Sequence, residues 1–166
     1  MYSYDHLNKG ITMKLSKNLW LSEVTKSNTA KRRSISNIPT QEHKENLVYL
    51  AENLFQPLRD EAGSPIYVNS GYRSKELNKA VGGSKTSHHC IGAALDLDND
   101  NKNSEWTNAD IFFFIKDNLQ FTSLIWEFGD DQKPAWVHVS LIKGREDEKK
   151  VLKASTVNGK TKYTRI

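Results

Sequence analysis

The stretch from Thr40 to Ala62 constrains the fold more than any other part of this chain. Leu47, Leu50, Ala51, Leu54, Phe55 and Leu58 recur at helical spacing, so a helix here carries one continuous apolar face. Thr40 suits its N-cap, and Glu42 and Glu45 sit early, where the helix dipole favours anions. Ala62-Gly63-Ser64-Pro65 ends it. Such a helix must bury its face against a second layer, and the rest of the chain offers mainly short strands for that purpose.

Ile66-Tyr67-Val68 starts a strand that runs into Ser70-Gly71-Tyr72-Arg73-Ser74. Ser74 can cap a short helix through Ala80, stopped at Gly82-Gly83. Ala93–Leu97 reads as a second strand. Thr107, with Asp110 three residues on, forms a capping pattern for a helix through Asn118 that carries Ile111, Phe112, Phe114 and Ile115. Leu124–Phe128 and Trp136–Ile142 read as two further strands, joined by a turn-rich linker over 129–135. Before all of these, a short helix is expected around Ser22–Thr29. The predicted class is α+β, with helices packed on a small, mostly antiparallel sheet.

At 166 residues, with 37% hydrophobic and 27% charged residues, the chain fits one domain with its own core. Met13 reads as a second start, which would make residues 1–12 an N-terminal extension and 13–142 the domain. The charged stretch 143–166 reads as a loosely attached tail. Cys90 is the single cysteine, which excludes an internal disulfide and leaves histidine and carboxylate as the only metal ligands. No apolar run reaches the roughly 18–20 residues of a membrane span, and residues 1–12 hold no signal-peptide-like stretch. Synthesis in the cytoplasm is therefore expected, with any export by another route. The net charge of +4 suits an anionic partner such as cell wall, nucleic acid or a membrane surface. No aromatic-basic interleaved motif is present, so nucleic acid is not expected.

His89 and Asp96 stand seven residues apart with Gly92, Ala93 and Ala94 between them, and His138 falls on a later strand. Two neutral imidazoles and one carboxylate make a three-ligand zinc set with one position open for water. Metal patterns without cysteine arise easily by chance, so spacing alone leaves two unrelated histidines as the commoner reading. Glu127 is the best-placed general base on chain logic, with Asp130 and Asp131 as rivals. It reads equally as an ordinary strand residue. Arg73 reads as a substrate clamp or as a surface ion-pair partner. Asp98-Asn99-Asp100-Asn101 lacks the glycine and closing glutamate of a calcium loop and reads as a solvated turn.

Ser87-His88-His89-Cys90-Ile91-Gly92-Ala93-Ala94-Leu95-Asp96 resembles the Ser-x-His-x-x-Gly-x-Ala-x-Asp signature of the zinc D-alanyl-D-alanine carboxypeptidase and L-alanyl-D-glutamate endopeptidase family. Ser70-Gly71-Tyr72-Arg73 and Trp136-Val137-His138 resemble two further segments of that family, in the same order. The resemblance spans roughly Leu15 to Ile142 and implies a Hedgehog/DD-peptidase-like fold. It also implies zinc held by His89, Asp96 and His138, with Arg73 binding substrate or stabilising the oxyanion and Ser87 supporting the substrate or the ligand shell. The implied substrate is the peptidoglycan stem peptide; the chain is expected to act as a monomer. Several members carry the catalytic acid three residues before the last histidine, where this chain has Ala135. Glu127 in Ile125-Trp126-Glu127-Phe128 looks like the substitute used in a single-domain, phage-type branch, which implies an endolysin acting after holin-type release or as a virion component.

If the last two strands form an antiparallel hairpin, Glu127 opposite His138 puts Phe128 opposite Val137. A slip of one residue would pair Trp126 with His138 and turn Glu127 to the other face. The resemblance favours the first register. Which stem-peptide bond is cut is not legible.

Overall fold

The computed structural model describes residues 12–166; apart from Thr12, the expected extension lies outside them. Two short strands, β1 (Lys14–Ser16) and β2 (Leu19–Trp20), form a small antiparallel ribbon. The single helix expected around Ser22–Thr29 is two, α1 (Leu21–Thr25) and α2 (Asn28–Arg33). Lys26 is extended between them, and Ser27 caps the second by accepting from the Ala30 amide.

Thr40 caps α3 (Gln41–Leu50) by accepting from the His43 amide, and the helix continues through a π-helical turn (Ala51–Phe55) into α4 (Gln56–Ala62). The π turn has a local cause. Pro57 lacks an amide hydrogen and its ring crowds the carbonyl four residues back, and a wider turn relieves that clash. Gly63 then ends the helix with φ of 60°. The apolar face is intact across the turn: Leu47, Leu50, Ala51, Leu54, Phe55 and Leu58 are each at most 1% exposed. Burying each large side chain of that face contributes on the order of 1.5–3 kcal/mol.

That face packs with α6 (Asn108–Asn118) against a six-stranded sheet of order β3-β4-β6-β5-β7-β8. Its strands are β3 (Val68–Ser70), β4 (Ala94–Leu97), β5 (Ser123–Glu127), β6 (Trp136–Ser140), β7 (Lys150–Val157) and β8 (Lys160–Arg165). All neighbours are antiparallel except β5 and β7. The fold is α+β. Alternation along the strands divides the sheet. Leu95, Leu97, Leu124, Trp126, Val137 and Val139 enter the core beneath the helices. Asp96, Ile125, Glu127 and His138 face the other way. Between β3 and β4, Ser74 caps α5 (Lys75–Ala80) as expected. Thr107 and Asp110 form the expected capping box on α6.

Two further expectations need correcting. The stretch after Lys143 is not a loosely attached tail: β7 pairs in parallel with β5, and β8 forms the far edge of the sheet. Asn158 and Gly159 make its tight turn with φ of 50° and 73°, the Asn-Gly hairpin signature. The abundance of charge hid that signal. Likewise the 98–101 segment is not a solvated turn. Asn99 is only 2% exposed; its amide oxygen accepts from the Tyr67 amide, and its nitrogen donates to Pro65 O, Ser104 Oγ and Trp106 O. Asn108 ties the same loop to the carbonyls of Pro134 and Ala135, which anchors the start of β6.

Candidate metal centre

Asp96 and His138 are register partners on β4 and β6, a placement that brings side chains on one face together. His138 Nδ1 lies 2.9 Å from Asp96 Oδ1. His89 comes from a 3₁₀ turn (His88–Ile91) that leads into β4 and closes at Gly92, where φ is 73°. A β-carbon on Gly92 would lie 2.4 Å from the His43 carbonyl oxygen, so the turn can press on α3 only with glycine there. The result sets His89 Nε2 3.2 Å from Asp96 Oδ1.

The other ring nitrogen of His89 fixes the orientation of the ring. Nδ1 lies 2.5 Å from the Gly71 carbonyl oxygen, which can only accept, so Nδ1 carries a hydrogen and Nε2 is the nitrogen turned toward Asp96. Gly71 is itself held against α1: a β-carbon there would meet Val24 O and Cβ at 2.6 Å. The Tyr72 amide donates to Val24 O, and the Arg73 amide donates to His89 O. The segment that resembles Ser-Gly-Tyr-Arg therefore braces the first histidine.

One ligand atom each from His89, Asp96 and His138 fall within 4.8 Å of one another. His88 is outside this group; it lines the cleft above it. Arg73 Nη2 donates to Asp96 Oδ2 at 2.8 Å and its Nε to Ser70 Oγ at 3.0 Å. Asp96 thus presents one oxygen to both imidazoles while Arg73 holds the other, an outer support typical of metal carboxylates. Burial opposes ionisation of Asp96. The charge of His89 and hydrogen bonds from His138 and His89 outweigh it, and hold the carboxyl well below its usual range.

Glu127 lies on the same face but not opposite His138. The partner of His138 is Ile125, and Glu127 pairs with Trp136. Both registers considered from sequence are therefore displaced, the favoured one by two residues. Because side chains alternate with a period of two, that displacement leaves Glu127 facing the cluster side. It is 6% exposed. Burial first, and then the nearby Asp96 carboxylate, push its pKa up to about 7 against the pull of His138 and Arg73. The rivals lie elsewhere: Asp130 Oδ1 accepts from the Gln132 and Lys133 amides in the 129–135 turn, and the exposed Asp131 pairs with Lys153.

An open cleft of about 570 Å³ runs over these groups, with Arg73, Ser87, His88, Glu127, Trp136 and Tyr163 among its lining residues. The sequence motifs give Tyr163 no part in the site, and His88 enters them only as a second imidazole that the signature spacing passes over in favour of His89. Burial, followed by the charges of neighbouring His138 and Arg145, lowers the His88 pKa. Tyr163, Leu152 and Thr161 reach the cleft from the β7–β8 hairpin. The Asn158-Gly159 turn was the sequence signal that could have placed them there.

A largely buried His–Asp–His cluster beneath an open cleft, with a carboxyl whose pKa is pushed up to about 7 beside it, is the arrangement of a metal-dependent hydrolase. A model of the family described as Peptidase M15 matches residues 17–140, well over half of the chain, and the chain belongs to that peptidase family. The matched span holds every residue of the cluster and ends before β7. No curated protein matches the chain.

Proposed function

We propose that this chain is a zinc peptidase that hydrolyses peptide bonds in peptidoglycan stem peptides, with His89, Asp96 and His138 as zinc ligands. The convergence of those three groups beside Glu127 carries the reading. The donor set fits the metal: two imidazoles and a carboxylate are zinc ligands, and the Nδ1–H of His89 and the outer oxygen of Asp96 already have hydrogen-bond partners. Zinc in such a site supplies Lewis-acid polarisation of a peptide carbonyl and lowers the pKa of water toward neutrality.

The protein's own groups do the rest. The Glu127 carboxylate takes the proton from the attacking water and returns it to the departing amine nitrogen, a task suited to a group that titrates near neutrality. Arg73 keeps Asp96 oriented, and its remaining N–H groups are available to a substrate oxygen at the cleft wall. Ser87, which lines the same cleft, supports the bound peptide. A finer reading as a monomeric lysin of phage or prophage type, reaching the wall after release or on a virion, rests on Glu127 standing in for an acid at position 135.

Digestion of purified muropeptides with mass analysis of the products tests the reading and identifies the bond cut. Loss of a terminal D-alanine marks a carboxypeptidase, and internal cleavage an endopeptidase. Muropeptide binding without any cleavage by zinc-loaded protein would instead mark a wall-binding module.

A further inference from the structure

We propose that the β7–β8 hairpin forms one wall of the substrate cleft and that Tyr163 contacts the substrate, its phenol donating a hydrogen bond to an oxygen of the bound peptide. This contact rests on the peptidase reading of the same cleft. The hairpin lies beyond residues 17–140, so nothing in the family match assigns it a part.

The placement follows from register. Trp136, Glu127, Ala154 and Tyr163 are successive partners across β6, β5, β7 and β8, so all four stand on the cluster face of the sheet. Neighbouring strands are about 4.8 Å apart, which sets Tyr163 about 10 Å from Glu127 along this row. Only Ala154, fully buried, stands between them. A methyl group there leaves the space above β7 open for a long side chain on β8 to reach into. Tyr163, Glu127 and His138 all line the resulting cleft. The hairpin is fastened to the catalytic strand at this level, because the Phe128 amide donates to Ala154 O.

The chemistry of the phenol suits the role. Tyr163 is 53% exposed, and among the described residues its hydroxyl has no hydrogen-bond partner. Partial burial and the charges of Glu127 and Asp96 raise its pKa, so it stays protonated and acts as a donor. A neutral donor facing a cleft whose other polar groups include a carboxylate base is placed to hold a peptide oxygen without competing for the metal ligands.

The test compares full-length, zinc-loaded wild type with Tyr163→Phe on muropeptides. Loss of one neutral hydrogen bond is expected to raise KM roughly two- to tenfold, with kcat, zinc content and melting temperature little changed. Calorimetric binding of muropeptide to zinc-loaded Glu127→Gln, with and without Tyr163→Phe, should weaken by a similar factor. Cleavage by wild type with an unchanged KM in Tyr163→Phe, or a loss confined to kcat, overturns the Tyr163 contact alone. Wild type that binds muropeptide without cutting it overturns the peptidase reading, and the binding comparison still decides Tyr163. Wild type that does neither overturns both.

Discussion

Glu127 sits two residues along β5 from Ile125, the strand partner of His138, so the carboxyl and the imidazole share a face of the sheet without standing opposite each other. The offset leaves Glu127 beside the cluster rather than within it, free of the direct contacts that tie Asp96 to both histidines. A base that is to serve a water and then an amine needs that separation from the ligand set.

Metal content should follow His89. Purified wild type is expected to hold one zinc per chain by elemental analysis, and His89→Ala to hold little and hydrolyse nothing. Full zinc occupancy in His89→Ala would remove that histidine from the ligand set.

Glu127→Gln should keep its zinc and lose on the order of a hundredfold or more in kcat/KM. The pH profile of wild type carries a signature of the same group. Glu127 must be ionised to accept a proton and its pKa is pushed up to about 7, so activity should rise with pH through an acid limb. A bound dication favours the carboxylate, which places the limb of the zinc-loaded enzyme below that value. Stability without metal runs the other way. The folded pKa lies above the ordinary 4.5, so the group's contribution is fully present below about pH 4.5 and lost as pH rises through about 7. Denaturant titrations of metal-free protein should show this decline in wild type and its absence in Glu127→Gln. Near-normal hydrolysis by that variant would pass the role to another group.

Arg73→Lys is expected to weaken zinc by roughly 10–100-fold, the usual cost of losing an outer-shell partner, and to lower turnover even at saturating zinc. A lysine amine cannot reproduce the fork that bonds Asp96 Oδ2 through Nη2 and Ser70 Oγ through Nε, because its donors radiate from one atom. Unchanged affinity and rate would reduce Arg73 to an incidental ion pair.

Gly92→Ala tests the turn that aims His89. The new β-carbon would meet His43 O in a backbone already at φ of 73°. Strain of this kind costs on the order of 1–3 kcal/mol, which should appear as a lower melting temperature together with weaker zinc binding. A melting temperature and zinc affinity equal to wild type would show that the turn tolerates a side chain.

The helical elements and their caps were legible because they depend on neighbours in sequence. Thr40, Ser74 and Thr107 each accept from an amide three residues on, and the apolar spacing from Leu47 to Leu58 names the buried face of α3 and α4. The cluster residues were legible as a pattern of types, but their spacing did not separate a site from coincidence. In two segments charge was what misled. The acidic look of 98–101 concealed Asn99, whose buried amide is satisfied by partners distant in sequence. The basic look of 143–166 concealed a hairpin whose turn stood in plain view.

Which residues could ligate a metal, where the helices begin and end, and that strands with one apolar face must lie beneath them were all written in the order of residues. That Asp96 stands opposite His138, that Ile125 rather than Glu127 is the next partner in that row, and that Tyr163 ends a row shared with Glu127 emerged with the folded sheet. The difference lies in the range of the interactions. Caps and helical periodicity are settled within a turn or two of chain. Strand register is settled by hydrogen bonds and packing between segments dozens of residues apart, and a shift of two residues leaves every side chain on its own face. Local pattern therefore could not tell one register from the other.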